Sequence, residues 1–84
     1  MIVQNPTTIG VLPIQRAVAA ASPHAWRDAL VTVVGDGQRV VLVDLDGVPS
    51  LLVTDAVVRT GDPVAFHPVA EILAVGGIWY TARA

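Results

Sequence analysis

From Trp26 onward the chain alternates short apolar runs with clusters of glycine, proline and aspartate. RDALVTVV (27–34), RVVLVDLD (39–46), SLLVTD (50–55), VAFH (64–67) and IWYTAR (78–83) have strand length and are rich in β-branched and aromatic residues. EILAV (71–75) reads as a continuation of VAFH beyond a bend at Pro68. Gly35-Asp36-Gly37-Gln38, Gly47-Val48-Pro49, Gly61-Asp62-Pro63 and Gly76-Gly77 supply the turns between runs. Within 39–46, Arg39, Val41, Val43 and Leu45 share one face, and Val40, Leu42, Asp44 and Asp46 share the other. Both faces begin apolar and one ends acidic, the pattern of a strand leaving a barrel wall for solvent. The pattern predicts an all-β domain over 24–84: a small antiparallel barrel of five to six strands, OB-like, with an SH3-like barrel as the alternative.

Residues 1–23 follow a different rule. MIVQNPTTIGVLP carries Pro6, Gly10 and Pro13 at short intervals, which favours an extended N-terminal arm. IQRAVAAA (14–21) has the alanine content of a short helix, which would need a tertiary partner to persist. Ser22-Pro23 closes it. Such an arm either clasps a neighbouring subunit or folds over its own barrel.

Composition sharpens the question of partners. Charged residues are 14% of the chain, against about 25% in ordinary domains. Hydrophobic residues are 54% and the mean hydropathy is +0.64. A chain of 84 residues buries only about 60–65% of its unfolded surface and needs added support. There is no cysteine, so disulfides and thiolate zinc sites are excluded. His24 and His67 lie 43 positions apart and make no metal cage. No metal or cofactor is expected. Partner subunits are, as a homo-oligomer with a trimer as the candidate form. The alternative is a monomer with its many alanines at the surface.

Charge and hydropathy exclude other partners. The net charge is −2, there is no lysine, and Arg16, Arg27, Arg39, Arg59 and Arg83 are scattered singly. No basic stripe offers itself to nucleic acid. IGVLPIQRAVAAAS ends in small residues but lacks the basic region of an export signal. PVAFHPVAEILAVGGIWYTA is interrupted by two prolines, a histidine, a glutamate and a Gly pair, so strands account for it better than a membrane span.

Candidate chemistry is sparse. Asp62 and His67 form an acid–histidine pair five positions apart, which is roughly 16 Å along an extended strand. No nucleophile accompanies them, so Gly61-Asp62-Pro63 reads as the corner that launches a strand. Asp44, Asp46 and Asp55 form a loose acidic group, either a hard-cation site or a solvated strand end. The aromatics are Trp26, Phe66, Trp79 and Tyr80. Trp79 and Tyr80 are neighbours in one strand and point to opposite faces. With no basic groove for base stacking, an aromatic anchor at a protein interface is the better use. No catalytic residue is expected, and the chain is read as a non-enzyme. The candidate interface residues are Ile2, Val3, Ile9, Val11, Leu12 and Ile14 on the arm, His67 at the bend, and Trp79 with Tyr80.

WRDALVTVV, GDGQRVVLVDLDG, GDPVAF and VGGIWYTAR together resemble small barrel proteins of tail gene clusters in actinobacterial phages and prophages. The resemblance covers about two-thirds of the chain and leaves out the arm and HPVAEI. It implies an OB-like barrel used as a virion building block, made in the bacterial cytoplasm and assembled with other virion proteins, with no catalytic residues to carry over. A tail component is the leading expectation. A capsid decoration protein and an OB-fold module for single-stranded nucleic acid or sugar are the alternatives.

Overall fold

The computed structural model describes residues 7–84. Two three-stranded antiparallel meanders make up the body. The first is β2 (Arg27–Val34), β3 (Arg39–Asp44) and β4 (Pro49–Thr54). The second is β5 (Pro63–His67), β6 (Ile72–Val75) and β7 (Ile78–Arg83). β2 pairs with β5 and β4 with β7, both antiparallel, so six strands close into a ring. This is the all-β, barrel-like class that the apolar runs predicted.

Alternation decides what the ring encloses. Val31, Val40, Leu42, Leu52, Phe66 and Leu73 point inward and pack as one core with smaller neighbours such as Ala29 and Ala82. Thr54 is the buried polar joint between the meanders. Its hydroxyl donates to the Thr81 carbonyl at 2.9 Å and accepts the Ala56 N–H at 3.2 Å, so its burial leaves no polar atom unpaired.

The turns follow local chemistry. Gly76 and Gly77 sit at φ 56° and 83°, the left-handed pair that a two-residue hairpin requires to match strand twist. The corner at Gly61-Asp62 is fastened to β2. Gly61 N–H donates to the Val31 carbonyl at 2.7 Å, and Val31 N–H to the Asp62 carbonyl at 3.0 Å. In β2 the register slips between Val31 and Val33, leaving Thr32 as the extra residue of a bulge.

One expectation is corrected. EILAV does not continue the fourth strand. Residues 68–71 turn the chain back, and β6 pairs antiparallel with β5 through Phe66↔Leu73 and His67↔Ile72. Glu71 at φ 57° completes that reversal. Of the two courses open to the arm, the residues from Thr7 onward take the one over their own barrel. β1 (Thr7–Ile9) runs parallel to β7, with Thr8 opposite Trp79. α1 (Pro13–Ala21) lies on the body, with Ala19 packed against Ala70 and Ile72. The helix finds there the tertiary partner that its length demands.

Gln15 holds the helix start in place. Its side-chain oxygen accepts the Leu12 N–H at 2.8 Å, covering a backbone donor at the helix start. Its amide nitrogen lies 3.1 Å from the Ala70 and Glu71 carbonyls and from the Thr81 hydroxyl. One side chain thus joins α1 to the β5–β6 turn and to β7. Pro13 at the first helical turn costs nothing, because its missing N–H would have no helical partner there.

Candidate assembly surface

Asp62 and His67 have separate duties. The Asp62 carboxylate accepts the Arg59 N–H at 2.8 Å and closes the corner. His67 is fully buried. Its Nε2 donates to the Ser22 carbonyl at 2.8 Å, and its Nδ1 accepts the Ala70 N–H at 2.9 Å. A carbonyl at Nε2 and an N–H at Nδ1 fit one neutral tautomer, protonated at Nε2. Trp26 meets its ring edge-on at a centroid separation of 5.1 Å. The expectation of a neighbour contact at His67 is therefore corrected. The ring is spent tying the helix-to-strand connection to the β5–β6 turn.

Of the acidic group, Asp44 is likewise committed. Asp44 accepts the N–H groups of Asp46 and Val48 at 2.9 Å each, and so shapes the β3–β4 turn. Arg27 lies 3.7 Å from its other oxygen. An open cleft of about 350 Å³ lies beside them, lined by Trp26, Arg27, Asp28, Asp44, Leu45 and Asp46. Among the described residues no cluster of three or more metal-ligating side chains forms. No helix there is long and apolar enough to cross a membrane.

The two tryptophans and the arm take up the outside of the second meander. Ile72, Trp79 and Thr81 sit on one face of β6 and β7, and α1 covers that face. Trp79 tilts against Trp26 at 5.1 Å. Tyr80 pairs with Leu73 on the opposite, inward face and is half-buried. Val11 packs into the same small cluster as Trp79, whereas Ile9, Leu12 and Ile14 remain exposed at 47%, 60% and 65%. Ile2 and Val3 lie outside the described residues.

Among the described residues nothing covers the outside of the first meander, and sequence reasoning did not single it out. Two aliphatic rows cross it. Leu30, Val43 and Pro49 are register partners in one, and Val33, Val41 and Leu51 in the next. Leu30, Val33 and Leu51 are 50%, 52% and 59% exposed. The rows have charged ends. On one side Arg39, Val53 and Arg83 form a third row across β3, β4 and β7. On the other side stand Asp28 at the start of β2 and Asp46 in the β3–β4 turn, both exposed. The bulge at Thr32 puts Val33 beside Val41 on this face, and the Thr32 hydroxyl reaches the Val41 carbonyl at 3.2 Å. A signal was present in the strand sequence. Arg39, Val41 and Val43 alternate with the core residues Val40 and Leu42, so an apolar outer face follows once the inner face is assigned.

Comparison with protein-family models, with curated proteins and with solved structures found no match to this chain.

Proposed function

We propose that this chain is a non-enzymatic structural protein of a bacteriophage particle, a tail component, which assembles through its apolar outer surface. The observation that carries the reading is the bare aliphatic face of β2, β3 and β4. A small domain that leaves two rows of valine and leucine uncovered is built for contact with protein. The side chains that catalysis would need are occupied in turns and packing: Asp62 in its corner, His67 under the helix, Asp44 in its hairpin. The sequence resemblance to barrel proteins of phage tail gene clusters supplies the kind of assembly.

Mass spectrometry of purified particles, with tails and heads separated, tests this. The expected result is the chain in the tail fraction at a fixed ratio to other tail proteins. Recovery with heads alone would turn the assignment to capsid decoration. Absence from particles, with the chain left in the soluble lysate, would overturn the virion reading.

A further inference from the structure

The occupant of the bare face is legible in the order of its charges. Along β3 the face begins with a basic row, Arg39 and Arg83 on either side of Val53. It continues through the two aliphatic rows and ends at Asp28 and Asp46. We propose that a second copy of this chain covers this face, in a two-fold contact whose axis lies in the interface and crosses β3 at right angles. That operation runs the two β3 strands antiparallel across the contact. It lays the aliphatic rows of one copy on those of the other. It also brings Arg39 of each copy, on β3 itself, to the acidic end of its mate, where Asp46 follows β3 and Asp28 lies on the neighbouring β2. A parallel arrangement would instead put arginine on arginine and aspartate on aspartate. Only the antiparallel one is self-complementary, as an isologous interface must be.

The surroundings of the charges are compatible. Arg27, the other cation at the acidic end, lies 3.7 Å from Asp44 and also lines the cleft there. The cleft between Trp26, Asp28 and Asp46 opens at this end and offers an arginine head both carboxylates and an aromatic wall. Asp36 and Asp55 lie past the basic row, in the β2–β3 turn and beyond the end of β4.

Area sets the strength. A half-exposed valine or leucine leaves roughly 30–60 Å² of apolar surface, so the face with Leu45 and Val48 at its edge offers roughly 300–400 Å². A standard interface buries about 800 Å² per partner, a little over half of it apolar. The face reaches most of that apolar share, which suits a dimer in the micromolar range.

This inference names the partner of the surface on which the structural reading rests, and a solution experiment separates the two. Sedimentation equilibrium of the full chain up to about 100 µM, where micromolar association is visible, is expected to give a dimer. Leu51→Glu and Arg39→Asp should each weaken association at least about tenfold, equivalent to losing one good contact. Arg39→Asp combined with Asp46→Arg should restore most of it, because the swapped charges meet again across the two-fold. Near-ultraviolet circular dichroism of each variant confirms that the fold is kept; all three replaced positions, Arg39, Asp46 and Leu51, are solvent-exposed. A monomer throughout the range, a trimer, or a dimer indifferent to Leu51→Glu would overturn the proposal. So would failure of the double swap to recover association. A dimer with these responses, from a chain absent from particles, would leave this inference standing and remove the virion reading alone.

Discussion

The two meanders are near-equivalent in strand count and pairing, yet their outer faces are treated in opposite ways. Outside β5, β6 and β7 the chain spends its own N-terminal segment: α1 packs Ala19 on Ile72, Gln15 reaches Thr81, and His67 is sealed under Ser22 and Trp26. Outside β2, β3 and β4 nothing from the described residues does the same, and Leu30, Val33 and Leu51 remain half-exposed. The polar groups mark the difference. The covered face holds Gln15, His67 and Thr81, whose hydrogen bonds fix one covering segment in one place. The bare face holds aliphatic rows with charges only at their ends, the arrangement on which the proposed two-fold contact rests.

Substitutions on the two faces should therefore separate stability from association. The largest effect belongs to Ile72→Ala, beneath α1. Deleting a fully buried isoleucine leaves a cavity and should cost about 2–5 kcal/mol, seen as a lower guanidinium midpoint by tryptophan fluorescence. His67→Ala comes next. It leaves the Ser22 carbonyl and the Ala70 N–H without partners in a buried place, a loss of about 2–4 kcal/mol. Limited proteolysis should then cut first near Ser22. Gln15→Ala removes the hydrogen bonds between the helix start and the body and should cost about 1–2 kcal/mol, with faster amide exchange in α1 than in β3. Leu51→Ser, on the bare face, should change the stability of the dissociated chain by less than about 0.5 kcal/mol while weakening self-association. If Leu51→Ser destabilised the fold as much as His67→Ala does, the contrast between the faces would fail.

How much of this the sequence carried depends on which residues one asks about. Strand positions were legible because valine-rich runs and Gly-Asp or Gly-Gly turns are local signals. β2 and β7 fall on 27–34 and 78–83 as expected. The helix was legible from its alanines, its destination was not, because Gln15 joins residues 55 to 66 positions away. His67 looked like a surface bend because a histidine before proline reads as a break. Its burial depends on Ser22 and Ala70, which no local pattern pairs with it. The bare face was hidden for another reason. In VVLV both parities are apolar, so alternation cannot say which side faces water until the ring closes. Composition gave a warning that did not depend on the ring, with few charges and excess hydrophobic residues for so short a chain.

A methyl NMR dilution series reads the central claim most directly, since valine and leucine methyls report from both faces at once. The account predicts concentration-dependent shifts at Leu30, Val33, Val41, Val43 and Leu51, with Val11 beside α1 and Val18 within it unmoved. Shifts centred on Val11 and Val18, or methyls that stay fixed across the whole series, would contradict it.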